Sequence, residues 1–244
     1  MTEGIRIAMW SGPRNISTAM MYSFDNRPDC YATDEPLYAN FLKNTEIEHP
    51  DAEKVIECYD TNLDSIVDRL TGPIPDGKQI WYQKHMCHHV ERDSELSWID
   101  GLSNCFLIRD PREVLLSLSK ITDVVDLWVT GLPQQMRILR HVVDRTGEDP
   151  PIIDARDILE NPVGVLSSLC EIIGIRFREE MVSWKPGPRD CDGIWAKHWY
   201  SSVWKSSGFS PPHPREGQLK REYLNILGEA EEMYDELWSR RLGA

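Results

Sequence analysis

No run of apolar residues in this sequence approaches the roughly 18 that a membrane-spanning helix needs, and charges stand at Glu3 and Arg6. Neither a membrane span nor a secretory leader is expected. Cysteine is sparse and irregular: the six residues at 30, 58, 87, 105, 170 and 191 include no C-x-x-C pair. They read as reduced thiols in a cytoplasmic protein, without a disulfide framework. Positive charge is short as well. Lys and Arg number 27 against 40 Asp and Glu, a net charge of −13 that argues against nucleic acid or an anionic membrane as partner. Internal repeats and low-complexity tracts are missing, and so is the G-x-x-x-x-G-K-[ST] phosphate loop. With 41% hydrophobic residues over 244 positions, one substantial core is expected, and residues 1–244 read as a single α/β domain.

The chain does have a short apolar, β-favouring run, Ile5 to Trp10, ending at Ser11-Gly12-Pro13-Arg14-Asn15-Ile16-Ser17-Thr18. Ala19 to Phe24 then reads as helix. A strand, a tight loop and a helix N-terminus together bind anions, because free N–H groups and the positive end of the helix dipole converge there. Arg14 adds a fixed charge and a planar donor fork. Ser17 and Thr18 either donate to the anion or cap the helix. A second site follows the run Asn104 to Ile108. Arg109 stands at its carboxyl end, Pro111 suits the first turn of the next helix, and Ser117 lies eight residues beyond Arg109. Both sites fall on the carboxyl edge of one sheet, where a ligand with two anionic ends could span them.

These two stretches resemble motifs of the sulfotransferases that use 3′-phosphoadenosine 5′-phosphosulfate (PAPS). Ser11 to Thr18 resembles the 5′-phosphosulfate loop, and Ile108 to Ser117 the 3′-phosphate motif, including the Arg-to-Ser spacing. The family usually has Lys at the position of Arg14 and Gly at that of Ile16. Arg keeps the charge but does not readily give up a proton, which favours electrostatic stabilisation of the leaving group. Ile resists positive φ, so an altered loop geometry is expected. The resemblance implies a P-loop-like parallel sheet flanked by helices on both faces, PAPS as sulfuryl donor, no metal and a small-molecule acceptor. A neutral or cationic acceptor suits the net charge best. The nucleotide ligands implied are Gly12, Pro13, Arg14, Asn15, Ile16, Ser17, Thr18, Arg109 and Ser117.

The rest of the chain reads as framework: strands near 30–33, 79–84 and 151–154, and helices over 51–70, 124–145, 161–173 and 215–241. Two candidates compete to deprotonate the acceptor. Glu35, in the Asp34-Glu35-Pro36 turn, serves if its pKa is raised. His85, after the third strand, titrates near neutrality, and Lys84 beside it could contact transferring oxygens. His85, Cys87, His88 and His89 have poor spacing for zinc, so no metal site is expected. Residues 184–214, rich in aromatics, cations and proline, read as a loop-rich cap with Lys197 or Lys205 on phosphate, or as core packed on the sheet. Two rival functions stay open: a P-loop kinase using ATP and Mg²⁺, with Asp154 as metal ligand, and a catalytically silent nucleotide-binding protein.

Overall fold

Alternation within Ile5–Ser11 (β1) sends Ile7 and Met9 to one face of a sheet and Ala8 and Trp10 to the other. Both sets are buried, as in parallel strands covered on both faces. The computed structural model describes residues 4–45, 47–121, 126–212 and 217–243. It joins β1 with β2 (Cys30–Asp34), β3 (Ile80–Met86), β4 (Ser103–Ile108) and β5 (Ile152–Asp154) in one parallel sheet of order β2-β3-β1-β4-β5, in which β1 pairs with β3 and β4. The helices are α1 (Ser17–Asp25), α2 (Tyr38–Asn44), α3 (Ala52–Cys58), α4 (Leu63–Thr71), α5 (Pro111–Leu118), α6 (Leu132–Thr146), α7 (Ala155–Glu160), α8 (Pro162–Ile172), α9 (Ala196–Trp199) and α10 (Arg221–Ser239). Apolar residues of α1 and α8 cover the Ile7/Met9 face, and those of α4, α6 and α10 the Ala8/Trp10 face. The expected parallel sheet with helices on both faces is what forms.

The chain leaves β1 towards β2 and leaves its neighbour β4 towards β5. The crevice at the carboxyl ends of β1 and β4 therefore sits at a reversal of strand order, where open α/β folds bind ligands.

Several elements differ from the sequence reading for local reasons. The helix expected over 51–70 is two helices. Tyr59 is extended, Asp60 accepts from the Asn62 amide, and the Asn62 side chain caps α4 by accepting from Ser65 N at 2.9 Å. Such side chains compete for backbone amides and break a helix. The helix expected over 124–145 starts at Leu132. Before it, a 3₁₀ turn (Leu127–Thr130) ends at Gly131, whose φ of 78° terminates one element and opens the next. Residues 124 and 125 lie outside the described residues, as do 215 and 216 of the C-terminal helix, which begins at Arg221. Strand β3 continues to Met86, so His85 lies within it rather than after it.

Residues 184–212 are partly core. Trp184, Trp195, Ala196 and Tyr200 are buried in the cluster that includes α1, and Tyr22 Oη donates to Asp192 at 2.8 Å to anchor the segment. Residues 213 and 214 of the expected cap lie outside the described residues.

Candidate active site

The loop between β1 and α1 is shaped by close approach. A Cβ built on Gly12 would stand 2.1 Å from the Thr130 carbonyl oxygen, so only glycine fits against the turn before α6. Gly131 packs on the other side of that contact: its own Cβ would lie 3.0 Å from Gly12 Cα. Arg14 and Ile16 both occupy the left-handed region, at φ 64° and 58°. The β-branched Ile16 thus adopts the conformation that its side chain disfavours, at a cost of roughly 1–2 kcal/mol. Two left-handed residues flank Asn15, as in the turns that gather backbone N–H groups on an anion.

Ile16 occupies the N-cap of α1, and no side chain caps the helix. The Ser17 hydroxyl lies 4.0 Å from Met86 Sδ instead. The first N–H groups of α1 therefore have no side-chain acceptor, as an anion cradle requires. Two amides fix this loop to the sheet. Asn15 Nδ2 donates to Leu107 O at 3.2 Å, and Gln135 Nε2 donates to Trp10 O and Leu107 O at 3.1 Å each. Asn15 Oδ1 is buried without a partner.

The second motif meets the first directly. Arg14 Nε donates to Ser117 Oγ at 2.8 Å, and Arg109 Nη1 donates to the Arg14 carbonyl at 2.9 Å. Glu113 Oε2 holds the other edge of Arg109 at 2.7 and 3.0 Å. Residues 95 to 103 positions apart thus share one crevice: cationic side chains, a hydroxyl, a left-handed turn and a helix end without a side-chain cap. This donor set fits an anionic nucleotide with two phosphorylated positions.

A buried polar cluster lies on the α1 side of the sheet. Lys84 Nζ donates to Asp34 Oδ1 at 2.8 Å, to Glu35 Oε1 at 2.7 Å and to Tyr200 Oη at 2.5 Å. Tyr200 Oη lies 2.8 Å from both Asp34 oxygens, and Gly193 N donates to Asp34 Oδ2 at 3.0 Å. Glu35, at the end of β2, has φ 40° and a side chain 13% exposed. Burial raises its pKa, Lys84 opposes that rise, and Asp34 adds to it. Burial also disfavours the Lys84 charge, but Asp34 and Glu35 outweigh it and hold the ammonium above its usual range. Met86, two residues along the same face of β3 as Lys84, touches Ser11 and Ser17, so the cluster adjoins the loop between β1 and α1.

Other candidates fall elsewhere. His85 is on the opposite face of β3 from Lys84, stacked on Trp10 at 4.3 Å, with Nε2 3.2 Å from Gln83 Oε1. Burial pushes its pKa down to about 3. His88 and His89 pack among Tyr38 and Phe41. Lys197 forms an ion pair with Asp51, which also accepts from His198 at 2.9 Å. Asp154, the metal ligand of the kinase reading, caps α7 by accepting from Arg156 N at 2.7 Å and accepts from Tyr234 Oη at 2.9 Å. Among the described residues no three His, Cys, Asp or Glu side chains gather around a metal-sized space. Tyr200, Gln135 and the Thr130–Gly131 turn were not singled out from sequence. The only signal for Tyr200 was the mixed aromatic and cationic character of residues 193–209.

A family model described as "Sulfotransferase domain" matches residues 5–241. The chain is similar to two Arabidopsis thaliana proteins named branched-chain-amino-acid aminotransferase-like protein 2 and 1. It is 33% identical to each, over 94% and 98% of this chain. The matches cover 40% and 42% of those relatives, so the chain spans about two-fifths of their length. In fold it is similar to the sulfotransferase domain of an olefin synthase from Synechococcus PCC 7002, with TM-score 0.54, 13% identity and coverage of 95% and 97% of the two chains. It is also similar to a sulfotransferase from Alicyclobacillus acidocaldarius, with TM-score 0.55, 12% identity and coverage of 98% and 97%. With the family model spanning nearly all of the described sequence, the chain belongs to the PAPS-dependent sulfotransferase family.

Proposed function

We propose that this chain transfers a sulfuryl group from PAPS to the hydroxyl or amine of a small acceptor. The observation that carries this reading is the meeting of the two anion motifs, with Arg14 on Ser117 and Arg109 on the Arg14 carbonyl. PAPS supplies an activated sulfuryl group whose leaving group is adenosine 3′,5′-bisphosphate. Residues Gly12 to Thr18 and Arg14 hold the 5′ end and stabilise negative charge there. Arg109 and Ser117 hold the 3′-phosphate. Glu35 takes the acceptor proton as the new bond to sulfur forms. Its raised pKa suits a general base near neutral pH, and Lys84 fixes one of its oxygens. His85 is the lesser candidate, since it lies on the opposite face of β3 from Lys84 and is a weak base at a pKa of about 3. Lys197 has no assigned role, because it is engaged by Asp51.

Residues 1–244 act in this reading as one catalytic unit, with residues 184–212 as a cap over the site. Six unpaired cysteines support a reducing, cytoplasmic setting. No helix among the described residues is long and apolar enough to cross a membrane. The test is release of adenosine 3′,5′-bisphosphate from PAPS, scored across a panel of small alcohols, phenols and amines with a chelator present. Acceptor-dependent release supports the reading. Tight nucleotide binding with no release across the panel supports the silent-binder alternative.

A further inference from the structure

Asp34, Glu35, Lys84 and Tyr200 come from three separate parts of the chain, and the last of them is far from either anion motif. Lys84 spends its three N–H donors on Asp34, Glu35 and Tyr200. The Tyr200 hydroxyl therefore accepts from Lys84, and also from Trp195 Nε1 at 3.4 Å, and its single proton goes to a carboxylate. Asp34 takes that proton at 2.8 Å, with Glu35 Oε1 next at 3.3 Å. Among the described residues no protein hydrogen bond reaches Glu35 Oε2, which leaves that oxygen for the acceptor.

Two carboxylates beside one buried ammonium leave the cluster one negative charge in excess. Such a cluster is costly unless every lone pair is satisfied. Asp34 is 1% exposed at its side chain and depends on Lys84, Tyr200 and the Gly193 amide. Without the phenol, the Asp34 charge is less compensated, and Lys84 is drawn towards it and away from Glu35. Glu35 then becomes a poorer base at a given pH and loses its fixed orientation.

We propose that Tyr200 is a positioning residue of the sulfuryl-transfer site: its hydroxyl satisfies Asp34 so that Lys84 can hold Glu35 against the acceptor. The proposal rests on Glu35 as the base. It gives the C-terminal segment a role in acceptor activation rather than in nucleotide binding. The charged and titratable groups around Glu35 are Asp34 on its own strand, Lys84 on β3, Tyr200 after α9 and Tyr38 on α2, with His89 close to Lys84.

Signs follow from these contacts. The Lys84 ammonium lowers the Glu35 pKa and the Asp34 charge raises it. Tyr200→Phe therefore draws Lys84 towards Asp34 and moves the Glu35 titration up. Asp34→Asn moves it down. Two readouts are needed. One is the protonated-carboxyl infrared band of Glu35, assigned by its loss in Glu35→Gln and titrated in protein without donor or acceptor. The other is the acid limb of kcat/KM for sulfuryl transfer. Calorimetric binding of adenosine 3′,5′-bisphosphate within about twofold of the parent verifies that each variant is folded. Opposite shifts of the infrared titration in Tyr200→Phe and Asp34→Asn support the proposal. If Tyr200→Phe leaves that titration in place, or both variants shift it the same way, the proposal is overturned. If the infrared shifts appear but the acid limb does not follow them, Tyr200 still positions Glu35 and the assignment of Glu35 as base fails. Should Tyr200→Phe not fold, Asp34→Asn alone decides: an unmoved or raised titration overturns the proposal.

Discussion

Gly12→Ala tests the architecture of the phosphate loop with a single methyl group. Its Cβ would lie 2.1 Å from the Thr130 carbonyl oxygen, whereas real Cβ contacts stay above 3.0 Å, so roughly 0.9 Å must be found. Backbone faces backbone here, and no flexible side chain can swing aside. Thr130 is tied down, since its hydroxyl donates to Leu127 O at 2.5 Å and accepts from Leu132 N at 3.2 Å. Gly131 is already packed on Gly12. Relief must come from displacing the loop itself, at about 1–3 kcal/mol of stability by the usual cost of overpacking. A shift approaching 1 Å in groups that position a substrate costs on the order of 10²-fold in rate. Urea unfolding should show the lower midpoint, and PAPS turnover the rate loss, in the same preparation. Parental stability with turnover within about threefold of the parent would mean that the loop does not depend on this close approach, and the argument from it would fail.

Four further substitutions separate nucleotide binding from acceptor activation. Arg14→Ala should reduce turnover by roughly 10²–10³-fold while weakening adenosine 3′,5′-bisphosphate much less, because its contribution grows with charge on the leaving group; an equal loss in both would make Arg14 a simple binding residue. Arg109→Ala should cost the bisphosphate on the order of 2–5 kcal/mol, and adenosine 5′-phosphate less. The monophosphate will not escape entirely, since Arg109 also holds the Arg14 carbonyl. Glu35→Gln should abolish the acid limb of the pH–rate profile and leave nucleotide affinity intact, whereas His85→Asn should leave the limb unchanged. With Glu35 as base that limb lies above the ordinary glutamate value of 4.5, because burial raises the carboxyl; with His85 it would fall near 3.

Much of the crevice was legible in the sequence because its signals are local. A short apolar run, a Gly-Pro turn and a following helix identify the loop after β1, and an Arg at a strand end with Ser117 eight residues on identifies the second site. The parallel sheet follows from five short apolar runs separated by helical segments. What the sequence concealed depends on contacts between distant segments. Tyr200 reaches Asp34 across 166 residues, and Gln135 bridges the ends of β1 and β4 from 125 and 28 residues away. Neither has a local pattern to betray it. His85 reads as lying after the third strand because β3 runs two residues past its apparent end at Lys84, and polar His85 is buried there against Trp10 of the neighbouring β1. Ile16 broke a local rule: a β-branched residue stands at positive φ because the turn into α1 requires that backbone.

On the proposed function, the crevice at the ends of β1 and β4 holds a nucleotide with phosphates at both the 3′ and 5′ positions. Calorimetric titration with adenosine 3′,5′-bisphosphate, set against ATP with Mg²⁺, tests it most directly. Tight, metal-independent binding of the bisphosphate, with adenosine 5′-phosphate weaker by on the order of 10²-fold or more, is the expected result. Preference for ATP with Mg²⁺, or equal affinity for the mono- and bisphosphate, would contradict it.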